Sequence, residues 1–244
     1  MLTRLFKQIL SILSKEKTLD PQIAFDIWSD SYDIDNNIIA DLDDVFVKES
    51  ALKVTLRDKT LLDYGCGTGS KWDVFSSQFP RRLVGVDISP AMIARLKTKY
   101  SNAVTLLLDA NSYALPFPGS SFDAVACNLM WGYISKPLEA VCEIDRVLVP
   151  GGHVIWSDIH PNIFVSGGRR TFKSGSQVYA IKDYSSTNIP AVADHFRSHG
   201  FDIISTQELR IRDLINKTGC RELGPNIVNR MDEKMHLGLI FKKC

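Results

Sequence analysis

Residues 61–70 read LLDYGCGTGS: an apolar run closes on an acid, and Gly65, Gly67 and Gly69 follow at alternate positions. Glycines at the carboxyl end of a strand let the chain turn sharply and let a ligand touch bare backbone. A dinucleotide fingerprint has the spacing GxGxxG. Here the spacing is GxGxG, with Ser70 in the third glycine's place, which disfavours NAD without excluding it. Two further acids end later apolar runs. Asp87 closes RLVGVD, where a carboxylate can accept both hydroxyls of a ribose, and Asp109 closes AVTLLLD, where it can accept from the amino group of adenine. Asp63, just ahead of the glycines, would repel a pyrophosphate and attract an amino group. Three acids around one glycine turn suit a cationic, phosphate-free adenosine cofactor. Taken singly, Asp87 has a plainer, less favoured reading as a helix cap and Asp109 one as a solvated turn residue. Their joint placement at successive strand ends, where open α/β sheets bind ligands, favours a shared site.

The elements that must carry these residues alternate along the chain. TLLDY, RLVGVD, AVTLLLD, FDAVACN and GHVIWSDI are short, β-rich and nearly continuous in hydrophobicity, as strands buried on both faces are. Segments with helical periodicity, roughly 70–80, 90–100 and 135–148, lie between them. Repeated βα order implies right-handed crossovers and a parallel sheet, so the fold class is a doubly wound, Rossmann-like α/β domain. FDIISTQEL and HLGLIFKK follow without a convincing helix between them and read as an antiparallel finish, for seven strands with the last antiparallel. Ahead of the sheet, Asp20 and Pro21 read as the N-cap and first position of a helix covering much of 21–50. The domain expectation is an N-terminal helical lid over 1–50 and a single domain over 51–244, with a substrate-cap insertion at 160–186.

The 244 residues include 45% hydrophobic ones, enough for one large core. Lys and Arg total 29 against 28 Asp and Glu, so the basic excess of a phosphate-backbone binder is missing and nucleic acid is not the expected partner. Cysteines at 66, 127, 142, 220 and 244 are odd in number and form no CxxC pair, which argues against a disulfide framework and a zinc site and for a reducing, cytoplasmic setting. The opening MLTRLFKQILSILSKEK sets Leu2, Leu5, Phe6, Ile9, Leu10, Ile12 and Leu13 at helical spacing against Arg4, Lys7, Gln8 and Lys15. It is too short and too charged for a membrane span. Helix 1–16 is expected to pack on the domain or on a partner subunit, as in a homodimer, with a membrane surface as the alternative.

The sequence resembles the class I S-adenosylmethionine-dependent methyltransferases, especially the small-molecule branch similar to the ubiquinone and menaquinone biosynthesis enzymes. The resemblance runs from Phe25 to Trp156. It is carried by FDIWSDSYD at 25–33, LLDYGCGTG at 61–69, VGVDIS at 84–89, LLLDA at 106–110, LPFPGSSFDAVACN at 115–128 and EIDRVLVPGGHV at 143–154. It implies S-adenosylmethionine as cofactor, S-adenosylhomocysteine as product and a small-molecule acceptor. By position it implies that Asp63, Gly65 and Gly67 surround the methionine part, that Asp87 binds ribose and that Ile88 packs beside adenine. Asp109 and Ala110 would meet the adenine edge, Asn128 and Leu129 would line the cofactor near its sulfur, and Tyr32 would close over it.

A sulfonium methyl is already activated, so the protein need only align acceptor, methyl carbon and sulfur for in-line displacement and exclude water; no metal is required. Many small-molecule relatives carry a histidine soon after the fourth strand, where this chain has Asn128-Leu129-Met130-Trp131-Gly132-Tyr133. His160 in SDIHP, with Asp158 two residues earlier, is the next candidate base, against a plain loop role beside Pro161. Arg169, Arg170 and Lys173 in GGRRTFKSG can attract an anionic acceptor or serve as a solvated turn. Trp28, Trp131, Tyr133, Phe164 and Tyr179 are candidate walls of an acceptor pocket or ordinary core. The acids at 26, 30, 33, 35, 41, 43 and 44 read as a wet helix face. Rival readings are a nicotinamide-dependent oxidoreductase and a non-catalytic cofactor-binding partner or regulatory module.

Overall fold

Strands β2 (Thr60–Tyr64), β3 (Arg82–Asp87), β4 (Val104–Leu107), β5 (Phe122–Asn128) and β6 (Leu148–Ile159) form where the apolar runs stand. They pair in parallel, with Leu62 opposite Val84 and Val125, and Asn128 opposite Ser157. In this computed structural model the described residues are 17–108, 113–184, 189–218 and 229–244. The seven-stranded sheet has the order β4-β3-β2-β5-β6-β10-β9, where β9 is Phe201–Arg210 and β10 is Lys234–Lys243. Strand β10 runs antiparallel to both neighbours, as the sequence reading had it for the last strand. All five residues of β2 are buried, which is why its sequence has no polar alternation and why the acid at its end faces so little water. Reversal of order between β3 and β5 around β2 leaves a crevice at their carboxyl ends.

Helices cover the faces. Among the described residues they are α1 (Pro21–Trp28), α2 (Ile38–Ser50), α3 (Trp72–Ser76), α4 (Pro90–Lys99), α5 (Pro137–Val147), α6 (Pro161–Val165), α7 (Ile189–Ser198) and α8 (Ile211–Thr218), with one 3₁₀ turn at Trp131–Tyr133. Leu61, Phe46, Phe75, Ile155 and Ile240 lie in the core on one side of the sheet, and Leu62, Val125, Trp156, Phe196 and Phe241 in the core on the other.

Three departures from the sequence reading have local causes. The expected helix over 21–50 is two helices, because Asn37 accepts from the N–H groups of Ile39 and Ala40 and starts α2 afresh. Asp20 takes the backbone position of an N-cap ahead of Pro21, but its side chain makes no capping bond. A second sheet of order β1-β8-β7 was not foreseen: β1 (Lys17–Leu19) lies parallel to β8 (Gln177–Ile181), which forms a hairpin with β7 (Thr171–Ser174). It ties the N-terminal segment to the hairpin of residues 171–181. Helix α8 sits between the last two strands, where the sequence reading placed none. Helix 1–16 lies outside the described residues.

Candidate active site

Strand β2 delivers Asp63 and Tyr64 to the crevice, and the chain then turns through the glycines. Gly65 has φ +80°, and a Cβ there would lie 2.9 Å from the Cβ of Met130, so both backbone shape and space demand glycine. The turn is organised from the next strand: Asp87 Oδ2 accepts from Gly67 N–H and its Oδ1 from Ser89 N–H, each at 2.8 Å. Ser89 caps α4 by accepting from Met92 N–H. Asp87 therefore joins the glycine turn to the start of α4 while lining an open cleft of about 790 Å³, its mouth included. Burial raises its pKa against the pull of those N–H donors.

That cavity brings together Tyr32, Gly65, Gly67, Asp87, Ile88, Asn128 and Leu129, all expected from the sequence. Asp63 borders an adjoining smaller cavity, with the glycine turn, Thr68, Ser70 and Lys71. One Asp63 oxygen accepts from Trp72 Nε1 at 2.8 Å. Burial pushes the Asp63 pKa up to about 7, the charge of Asp87 adds to the rise, and Lys71 opposes it. An acid so placed is short of positive charge, and an arriving cation would supply it. Asp109 and Ala110 lie outside the described residues; Leu108 and Tyr113, the described residues on either side, both line the first cavity.

Leu129 borders all three cavities described and holds φ +53°, an unusual conformation for a branched side chain. Ser157 fixes this corner twice. Its carbonyl accepts from Leu129 N–H at 2.9 Å and its hydroxyl accepts from Asn128 Nδ2 at 2.7 Å. The Ser157 hydroxyl in turn donates to Asp43 Oδ1 at 2.5 Å, and His236 Nε2 lies 3.0 Å from the same oxygen. Lys71 Nζ, from the end of the glycine turn, stands 3.2 Å from Asp43 Oδ2 and also pairs with Asp44. Burial raises the Asp43 pKa, but Lys71, His236 and Ser157 outweigh it and hold it at about 2. One fully buried carboxylate thus links α2, the glycine turn and the β5 corner.

The N-terminal acids are more than a wet face: Asp30, Asp33 and Asp44 stay partly or largely exposed, yet each is paired. Asp26 accepts from Ser89 Oγ at 2.6 Å, Asp33 accepts from Thr68 Oγ1 at 2.6 Å and pairs with Lys99 at 3.1 Å, and Asp30 pairs with Arg95. Asp35 accepts from Trp28 Nε1 at 2.6 Å. These bonds seat residues 21–35 on α4 and the glycine turn, and bring Phe25 and Tyr32 over the cavity. The sequence reading missed this because acids spaced for helix solvation and acids spaced for docking look alike until their partners are known.

A second open cavity, about 590 Å³ with its mouth included, shares Phe25, Tyr32, Leu129 and Tyr133 with the first and extends to Trp28, Arg169, Arg170 and Thr171. Trp131, expected in an acceptor wall, is instead fully buried against Trp156 and Phe196, because the 3₁₀ turn points it into the core. Arg170 is no solvated turn residue: it is 4% exposed, 2.5 Å from Asp158, 3.4 Å from Asp183, and lies over the rings of Tyr133 and Phe164. His160, the candidate base, caps α6 by accepting from Asn162 N–H at Nδ1, and its Nε2 lies 3.2 Å from Glu208; none of the three cavities counts it in its lining. Met92, Tyr113, Met130 and Ile134 also line the first cavity and were not singled out from sequence, since apolar residues lining a ligand and apolar residues filling a core have the same pattern.

The geometry fits a phosphate-free adenosine cofactor. Asp87 is placed for a ribose, Ile88, Met92 and Leu108 offer apolar surface to a flat ring, and Asp63 faces the glycine turn where a diphosphate would meet a carboxylate. Among the described residues, no cluster of His, Cys, Asp or Glu could hold a metal, and no helix is long and apolar enough to cross a membrane.

Residues 62–156 match the family model of the methyltransferase domain. The chain is 29% identical over 160 residues to the demethylmenaquinone methyltransferase of Tropheryma whipplei, covering 64% of this chain and 66% of that one. It is 30% identical over 111 residues to the malonyl-[acyl-carrier protein] O-methyltransferase of a Paenibacillus species, covering 43% of this chain and 40% of the relative. The chain thus spans less than two thirds of these curated relatives' length. In fold it is similar to S-adenosylmethionine-dependent methyltransferases of known structure from Mesorhizobium loti (TM-score 0.62, 18% identity, 81% of this chain and 98% of that one) and, in a structure described as putative, from Listeria monocytogenes (TM-score 0.65, 16% identity, 84% and 99%).

Proposed function

We propose that this chain, which carries a methyltransferase domain over residues 62–156, transfers a methyl group from S-adenosylmethionine to a small-molecule acceptor. The single observation that carries the reading is the trio of Asp63, the glycine turn and Asp87 around one cleft, with acids where a dinucleotide would place phosphate. The relative named demethylmenaquinone methyltransferase supports a small-molecule acceptor, and the one named malonyl-[acyl-carrier protein] O-methyltransferase supports a small acyl group as the part that is methylated. Bound there, S-adenosylmethionine supplies an activated methyl on a sulfonium.

The chain's own residues do the rest. Asp87 binds the ribose, Asp63 receives the amino group, and Ile88 with Leu108 packs the adenine. Leu129, at the meeting point of the cavities, borders the path between cofactor and acceptor. Tyr32 and Phe25, seated by the acids of the N-terminal segment, shut water out of that path. His160 is better accounted for as a helix cap than as a base. The test is label transfer from methyl-labelled S-adenosylmethionine to members of a metabolite library. Conversion to S-adenosylhomocysteine that depends on one acceptor class supports the reading. Tight NADH binding without any affinity for S-adenosylhomocysteine defeats it.

A further inference from the structure

We propose that Asp43 is a positioning residue: through Ser157 it fixes the side-chain amide of Asn128 so that oxygen, and not nitrogen, is the end left for the amino group of the cofactor. This rests on the methyl-transfer reading. Asp43 borders the smaller cavity, but its own oxygens are committed to Ser157, His236 and Lys71. It reaches the ligand only through its neighbours.

Hydrogen count decides the orientation of the amide. Burial pushes the Asp43 carboxyl up, but Lys71, His236 and Ser157 outweigh it, so the group is ionised and can only accept. Ser157, fully buried like Asp43, has one hydroxyl hydrogen and gives it to Asp43 Oδ1 at 2.5 Å. Towards Asn128 its oxygen can then only accept, and the group that faces it, 2.7 Å away, is Nδ2. With the amide reversed, two acceptors would meet across a hydroxyl whose hydrogen is spent, a costly contact in a buried corner. His236 Nε2, 3.0 Å from Asp43 Oδ1, and Lys71 Nζ, 3.2 Å from Oδ2, are donors to the carboxylate, so neither competes for the Ser157 hydrogen.

What remains of Asn128 is an acceptor. Its Oδ1 is buried and, among the described residues, has no hydrogen-bond partner, while Asn128 borders both the first cavity and the smaller one that Asp63 lines. A buried orphan acceptor is costly until a donor reaches it. An ammonium brings three N–H donors, more than Asp63, already bonded by Trp72, takes up alone. Asn128 Oδ1 offers the next acceptor. The same serine pins the backbone of this corner, since its carbonyl accepts from Leu129 N–H at 2.9 Å.

S-adenosylhomocysteine and its deamino analogue, with hydrogen in place of the α-amino group, are titrated calorimetrically into the full-length protein and into Ser157→Ala, Asn128→Ala, the double variant and Asp43→Asn. The wild type is expected to bind S-adenosylhomocysteine about tenfold or more tighter than the analogue, the scale of hydrogen bonds to a charged group. Ser157→Ala removes one oxygen and frees the amide to turn, so it should weaken S-adenosylhomocysteine about tenfold and leave the analogue within about twofold. The double variant should stay within about twofold of Asn128→Ala, because the two residues act as one unit. In Asp43→Asn, Lys71 attracts the new amide's oxygen and its nitrogen turns to Ser157. The hydrogen bonds then reverse, and the preference for the amino group is lost while the analogue binds as before. Thermal melts check that each variant folds; if Asp43→Asn does not, Ser157→Ala and the double variant decide. Equal loss of both ligands in Ser157→Ala, the result of a merely structural serine, overturns the proposal. So do unchanged affinity in Ser157→Ala, losses that add in the double variant, or a wild type that does not distinguish the ligands. Absence of S-adenosylhomocysteine binding to the wild type brings down the methyl-transfer reading itself, and this inference with it.

Discussion

Asp63→Asn is the perturbation that most sharply tests the electrostatics of the cleft. In the protein without cofactor the carboxyl is 4% exposed, bonded by Trp72 and held at a pKa of about 7. It is therefore about half protonated at neutral pH. If the amino group of the cofactor needs the ionised form, affinity falls by the factor 1 + 10^(7−pH), about tenfold at pH 6 and about 100-fold at pH 5, or about 2.7 kcal/mol at the latter. Calorimetry in buffers of different ionisation enthalpy reads the coupled proton directly. About half a proton should be released on binding at pH 7, and Asp63→Asn should bind weakly with a flat profile between pH 5 and 8. Stability moves the other way. The folded pKa of about 7 lies above the ordinary 3.8, so Asp63 stabilises the empty fold below about pH 4 and loses that contribution as pH rises through 7. Asp43, depressed to about 2 from the same ordinary value, contributes above about pH 4 and loses it as pH falls through 2. Wild-type affinity that is flat from pH 5 to 8 with no proton release would refute the reasoning.

Three further substitutions separate binding from scaffolding. Asp87→Ala should weaken S-adenosylhomocysteine binding by about 1–3 kcal/mol in calorimetry, since it removes both the ribose acceptor and the partner of Gly67 N–H. Gly65→Ala should destabilise the fold by about 1–3 kcal/mol in urea titration, because it meets Met130 at 2.9 Å in a left-handed conformation. Asp43→Ala should cost about 3–5 kcal/mol in the same assay, as it leaves Lys71, Ser157 and His236 without their shared carboxylate.

The parallel strands and the glycine turn were legible because a strand buried on both faces has no polar alternation to confuse it, and because only glycine serves at a position such as 65. The acids at 63 and 87 were legible for a related reason: an acid that ends an apolar run is conspicuous. What sequence hid was pairing over long separations. Asp43 meets His236 across 193 positions and Ser157 across 114, and nothing local marks it apart from Asp41 or Asp44. Lys17–Leu19 shows no strand pattern of its own and becomes one only by joining Tyr179–Ile181. His160 left two readings open, a base and, the favoured one, a plain loop residue; its nitrogens are taken up by Asn162 and Glu208. Trp131 and Tyr133 sit two positions apart on one 3₁₀ turn, yet one faces the core and the other the cavities, a division that hydrophobicity does not report.

The most direct measurement is a crystal structure of the full chain with S-adenosylhomocysteine. The account requires the ribose hydroxyls on Asp87, the adenine against Ile88 and Leu108, and the amino group turned to Asp63 beside the glycines. Adenosine lodged elsewhere, or a diphosphate-bearing ligand preferred at Gly65–Gly67 in competition, would contradict it.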